Sequence, residues 1–132
     1  MGAGASALAD SSSEINSYLK SKERKNPNNV TSSEWLFNAC WFNNVAVAKT
    51  LLDRGEPNLR WESDHPSLDG RTCIHVAAFV GNIDIVKLLV EYDPDVINFE
   101  DKDGYLPLDY AKINHHSDIV NILKTNRRKK SY

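Results

Sequence analysis

Cysteine is scarce in this chain. Its 132 residues include two, Cys40 and Cys73, and neither stands in a paired spacing such as C-x-x-C. A disulfide framework or a thiolate zinc site is therefore not expected. Long apolar runs are missing as well: no stretch approaches the about 18–20 consecutive apolar residues that a membrane-spanning helix requires. The opening MGAGASALAD has neither the basic start nor the extended apolar core of a secretory signal. Together these absences predict a soluble, intracellular chain, long enough to bury a single core.

Motifs that carry chemistry are absent in the same way. There is no glycine-rich phosphate loop, no H-E-x-x-H and no setting for a Ser-His-Asp triad. Four histidines and two cysteines remain to be placed. Cys73 and His75 lie two apart at a turn into a helix, which is neither a zinc nor a nucleophile spacing. His115 and His116 are adjacent and point to different faces of a turn. No catalytic residue, metal site or cofactor is predicted. The competing reading, a small enzyme built on Cys73 and His75, requires a turnover or metal uptake that His75→Ala abolishes.

The formal net charge of −2 conceals an asymmetry. Residues 124–130 hold Lys124, Arg127, Arg128, Lys129 and Lys130 and no acid. Residues 1–25 hold four basic residues against three acidic ones, whereas residues 26–123 hold seven against fifteen, a net of −8. An acidic body between basic ends is a poor general binder of nucleic acid and better suits a cationic or amphipathic protein partner.

What the chain does contain is an internal repeat. Shifting residues 69–98 by 34 positions places Gly70 on Gly104, Ile74 on Leu108, Ala77 on Ala111 and Leu89 on Leu123. The same shift lays Asp84-Ile85-Val86 on Asp118-Ile119-Val120. A more diverged copy lies upstream at a shift of 38: Leu36 on Ile74, Ala39 on Ala77, Asn43-Asn44 on Gly81-Asn82, and Leu51 on Leu89. The additional residues fall in 58–70, where Pro66 and Gly70 mark a lengthened loop. Each unit reads as helix, short turn, helix, extended loop. In the second unit Ile74, Ala77 and Ala78 share one helical face, and Ile85, Val86, Leu88 and Leu89 share another. One such pair cannot bury its faces, but three stacked pairs can.

On these residues the units resemble ankyrin repeats, whose pattern runs D-x-x-G-x-T-P-L-H-x-A-A-x-x-G-H-x-x-I-V-x-L-L-L. The second unit meets it with Gly70, Thr72, Ile74, His75, Ala77, Ala78, Gly81, Ile85, Val86, Leu88 and Leu89. The third supplies Asp101, Gly104, Pro107, Leu108, Ala111, His116, Ile119, Val120 and Leu123. Cys73 stands where the pattern has Pro, Leu106 where it has Thr, and Asp109 where it has His. The resemblance covers roughly residues 32–124 and is weakest in the first unit. It implies an all-α solenoid with repeats at about 32–64, 68–100 and 101–126, in a domain spanning 30–126. It also implies that His75 ties its helix start to the adjacent loop and that Cys73 fills a small packing site.

The resemblance further implies a partner protein held on the concave face, against the first helix of each repeat and the loop tips. The positions after the paired small residues are Trp41-Phe42, Phe79-Val80 and Ile113-Asn114. They predict an exposed stripe of Trp41, Phe79 and Ile113 flanked by Phe42 and Val80; the alternative is that the rings seal the short stack. Trp61, Arg71, Lys102, Asp103 and Tyr105 are the loop residues expected to join it. The implied function is a non-enzymatic, monomeric adaptor or regulatory subunit.

The two ends carry separate expectations. Met1-Gly2-Ala3-Gly4-Ala5-Ser6 fits M-G-x-x-x-[ST], the pattern for myristoylation of Gly2, although Ala7 supplies no basic residue. One acyl chain binds membrane only marginally, so peripheral attachment needs a second signal from Lys20, Lys22, Arg24 and Lys25 or from Arg127–Lys130. Residues 11–25 form a candidate helix within an arm at 1–29, and Asn26-Pro27-Asn28-Asn29 breaks the chain before the repeats. The basic tail at 127–132 has three readings: a nuclear import signal, a membrane contact or a silent solvated end. Cytoplasmic residence, peripheral on a membrane or not, and nuclear residence both remain open.

Overall fold

A computed structural model describes residues 31–65 and 68–130, side chains of 126–130 excepted, together with Ser17, Lys20 and Ser21. The six helices there form three antiparallel pairs: α1 (Ser32–Phe42) with α2 (Val45–Arg54), α3 (Cys73–Val80) with α4 (Ile83–Tyr92), and α5 (Pro107–Ile113) with α6 (Ser117–Lys130). A short 3-10 helix, Pro94–Asn98, leads from α4 into the last connection. No strand occurs among the described residues. The first helices α1, α3 and α5 pack side by side in one layer, and α2, α4 and α6 form a second layer behind them.

Local sequence sets the helix ends. Thr31 and Glu34 form a capping box, the Thr31 hydroxyl accepting from the Glu34 N–H at 3.2 Å and the Glu34 carboxylate accepting from the Thr31 N–H at 3.2 Å. Each helix pair then turns at the same repeat position through a left-handed residue: Asn43 (φ 58°), Gly81 (φ 94°) and His115 (φ 60°). Asn and His tolerate this region better than most side chains. At Gly81 there is a second constraint, because a Cβ would lie 2.6 Å from the His116 ring.

The residue after that turn latches one repeat to the one before it. The Asn82 side-chain amide donates to the Cys40 carbonyl. One repeat later, His116 Nε2 donates to the Phe79 carbonyl at 3.0 Å and Asn114 Nδ2 donates to the same oxygen at 2.8 Å. The ends of α1 and α3 therefore each have a carbonyl covered by a side chain of the next unit. Between the layers a continuous apolar core runs through Leu36, Phe37, Ile74, Ile85, Val86, Leu89, Ile119 and Leu123, all at most 1% exposed. Ala39, Ala77, Ala78 and Ala111 are buried in the same core.

The lengthened connection 56–70 does not swing into solvent. Leu59 and Leu68 anchor it in the core, Trp61 meets Phe37 edge-on at 5.5 Å, and Arg60 lies 4.0 Å over the Phe99 ring. Pro66 lies outside the described residues, as do residues 1–16, including Gly2, most of the expected arm, and Ser131 and Tyr132. The basic run expected to trail from the repeats as a tail continues α6 through Lys130. Arg and Lys are good helix formers, and cations favour the negative end of a helix.

His75 bridges the second and third repeats as the resemblance implies. Its Nδ1 accepts from the Thr72 N–H (3.2 Å) and hydroxyl (2.9 Å), while Nε2 donates to the carbonyls of Phe99 (2.9 Å) and Tyr105 (3.1 Å). This pattern holds the neutral ring, because a protonated Nδ1 would face the Thr72 N–H. Burial lowers its pKa, against an opposing pull from Asp101 and the two carbonyls. In the unfolded chain a histidine titrates near about 6.5. As pH falls through that value, the unfolded state takes up a proton that the native ring resists, and stability falls. Urea midpoints measured from pH 7.5 to 5.5 should decline, with His75 contributing at most about 1.4 kcal/mol per pH unit. The slope should be shallower in His75→Gln.

Candidate partner-binding surface

The inner helix layer is the face on which a partner was expected, and α3 dominates its centre. Every α3 residue from Cys73 to Phe79 is buried, and Val80 alone is exposed. This helix is packed by α1, α4 and α5, and Tyr110 on α5 covers one side of it. The Tyr110 ring meets His75, Phe79 and Tyr105 in edge-to-face contacts with centroids 5.8, 6.2 and 5.9 Å apart, and is itself 1% exposed. The expected stripe is corrected accordingly. Trp41 and Phe79 are each 7% exposed and belong to the core, whereas Ile113 (36%) and Val80 (37%) are open. Phe42 is half-buried, with the Lys20 ammonium 4.6 Å from its ring centroid.

Beneath Tyr110 lies a polar network that the sequence reading did not single out. The Tyr110 hydroxyl donates to Asp101 Oδ2 and accepts from Arg71 Nε at 3.0 Å. Asp101 Oδ1 accepts the N–H groups of Asp103 and Tyr105, both at 2.9 Å, so the carboxylate shapes the loop that carries them. Arg71 Nη1 donates to the Asp69 carbonyl at 2.9 Å, and Nη2 lies 3.5 Å from Asp103 Oδ2. Burial and the hydrogen bond to Asp101 push the Tyr110 pKa up, keeping the phenol protonated. The expectation that Arg71 reaches a partner from the loop is corrected too: its side chain is 5% exposed and committed to this network. Asp101 matches the repeat pattern and Tyr110 stands one residue before Ala111, but their pairing with Arg71 crosses from one repeat to the next.

The other loop residues line the rim. Lys102 pairs with Asp69, both about half exposed, and Asp103 is exposed beside them. Tyr105 and Trp61 are half-buried, each with one edge against the protein. Glu62 and Asp64 add exposed acids to the first connection. Asp109, which replaces the pattern's histidine in the last repeat, accepts from the Leu106 N–H at 2.8 Å. It caps its own helix as His75 does but reaches no further loop.

No group of three or more His, Cys, Asp or Glu side chains capable of holding a metal occurs among the described residues. Nor is any described helix long and apolar enough to cross a membrane.

Three helix pairs stacked by latches between successive turns define a helical-repeat solenoid. The chain belongs to the ankyrin-repeat family, whose three-copy pattern (Ankyrin repeats, 3 copies) matches residues 36–131. Similar curated proteins include the NF-kappa-B inhibitor cactus of Drosophila melanogaster, 40% identical over 55 residues, covering 42% of this chain and 11% of that protein. The serine/threonine-protein kinase VIK of Arabidopsis thaliana is 32% identical over 123 residues, 93% of this chain and 26% of the kinase. The human Notch-regulated ankyrin repeat-containing protein is 37% identical over 60 residues, 46% of this chain and 52% of that protein. The chain thus matches about half or less of the length of these relatives.

The network makes a direct stability prediction. Tyr110→Phe keeps the ring that covers α3 but removes the hydroxyl between Asp101 and Arg71. Urea unfolding should show a loss of about 1–3 kcal/mol, the cost of leaving buried charged groups without a partner.

Proposed function

We propose that the chain is a non-enzymatic adaptor or regulatory subunit that docks a partner protein across the inner-helix layer. The observation that carries this reading is the placement of exposed apolar side chains. Of the three large apolar residues exposed among those described, Val80 and Ile113 end consecutive inner helices, whereas Tyr92 lies on the outer layer. Asn114 and His116 tie those two helix ends together, so Val80 and Ile113 stand on a rigid base. Phe42 extends the surface at one end, and Trp61, Lys102, Asp103 and Tyr105 form its rim. Trp41, Phe79 and Arg71 act as supports beneath it.

The rim acids favour a partner with a cationic segment beside an apolar anchor, steering its approach more than deepening its binding. The name of one relative, an NF-kappa-B inhibitor, describes a protein acting on another protein, which supports a regulatory role here. The alternative is a nuclear or cytosolic regulator directed by the basic end of α6.

Capture from native lysate tests the surface. Val80→Ser/Ile113→Ser, checked by circular dichroism, should lose at least about tenfold of the capture seen with the unchanged chain, as expected when central apolar anchors are removed. Tyr92→Ser should lose none. Equal capture by the double variant refutes the surface.

Gly2 acylation would place such an adaptor at a membrane, with Arg127–Lys130 or the basic residues at 20–25 as the second signal. Cell fractionation should then show a membrane-bound share that disappears in Gly2→Ala. A share that persists in Gly2→Ala overturns the tether.

A further inference from the structure

Lys20 reaches the docking surface from outside the repeats. Ser17, Lys20 and Ser21 are helical, and the Lys20 ammonium lies 4.6 Å from the centroid of the Phe42 ring. That is within the about 6 Å over which an aromatic face attracts a cation. Phe42 is the last residue of α1, and a shift of 38 residues places it on Val80, one of the two open apolar residues of the inner layer. Two other rings lie beneath a cation among the described residues, Phe99 under Arg60 and Tyr110 under Arg71, and both are buried, at 4% and 1% exposure. Of these three rings, that of Phe42 is the one left partly open, so its cation can be exchanged for another.

The segment that carries Lys20 has the composition of the partner that this surface favours. Residues 15–25 hold Ile15, Tyr18 and Leu19 beside Lys20, Lys22, Arg24 and Lys25, with Glu23 as the one acid. Apolar side chains followed by cations suit a face of open aliphatic and aromatic residues framed by acids. We infer that this segment is an internal ligand: Lys20 occupies the Phe42 end of the docking surface, and a cationic partner segment binds by displacing it. The inference rests on the docking reading above and adds regulation to it. Nine residues, 22–30, join Ser21 to Thr31 at the start of the repeats. A short tether keeps its ligand at an effective concentration of about millimolar, so even a weak contact competes. Because an exposed cation–π contact is weak, the internal ligand tunes partner affinity and does not abolish binding.

The test uses the full chain, with a synthetic peptide of residues 11–25 as the probe. Two-dimensional NMR of the isotope-labelled chain follows the amides of Phe42, Val80 and Ile113 as peptide is added. In Lys20→Ala the peptide should shift all three amides. Saturation should come at about two- to fivefold less peptide than the unchanged chain needs, the factor that an exposed cation–π contact supplies. A scrambled peptide of the same composition should shift none of them. Phe42→Leu, which keeps apolar bulk but removes the aromatic face, should erase the effect of Lys20→Ala. Equal affinity in the unchanged chain and in Lys20→Ala overturns the internal ligand, as does the absence of shifts at these amides in Lys20→Ala. Binding by the scrambled peptide reduces the contact to general charge attraction and overturns it too. The docking reading fails separately, through equal partner capture by Val80→Ser/Ile113→Ser, a variant that leaves Lys20 and Phe42 in place.

Discussion

The fold depends on how the open ends of its inner helices are covered. A helix of seven to eleven residues leaves a large share of its backbone groups without intrahelical partners. The structure solves this across repeats. Asn82 covers the end of α1, Asn114 and His116 cover the end of α3, and His75 holds the loop that enters the third unit. Asn82, Asn114 and His116 stand beside the left-handed turn residues, so side chains next to each chain reversal fix the offset between neighbouring units. The apolar core supplies the driving force, whereas these latches decide the register in which the units stack.

The last junction carries an additional layer of polar structure. Tyr110, Arg71 and Asp101 form a buried triad whose carboxylate also accepts two backbone N–H groups from the loop at its edge. A charge buried this deeply is tolerated only when paired and hydrogen-bonded, and here each member bonds another, with Arg71 Nη2 left at ion-pair distance from Asp103. The consequence for binding is geometric. Tyr110 covers α3 and removes Phe79 from the surface, leaving Val80 and Ile113 as the apolar contacts of the inner layer. One side chain therefore serves both the buried polar network and the covering of Phe79.

Much of the fold was legible in the sequence because its period is a local property. Gly70 with Gly104, Ala77 with Ala111 and the two D-I-V triplets report the repeat length, and the helical faces follow from apolar spacing. The equivalence of Asn43, Gly81 and His115 was also visible in the alignment, although the left-handed turn that each adopts emerged only from the backbone. The surface was less legible. Trp41 and Phe79 occupy repeat positions that suit an exposed stripe, and their chemistry is that of interface anchors. Ring type and position do not reveal whether a neighbouring unit covers them, as Tyr110 covers Phe79.

What the sequence by itself determined is the unit: its length, its two amphipathic helices, its turn chemistry and the histidine that joins it to the next loop. These arise from contacts within one repeat or at matching positions in successive repeats, and periodicity records both. The tertiary structure alone decided which side chains remain outside and that Arg71 turns inward to Asp101 and Tyr110. The pairing of Arg71 with Asp101 and Tyr110 joins residues that are unlike in type and lie in different repeats at unmatched positions. No periodic pattern encodes such a pairing; it exists only once the units are stacked.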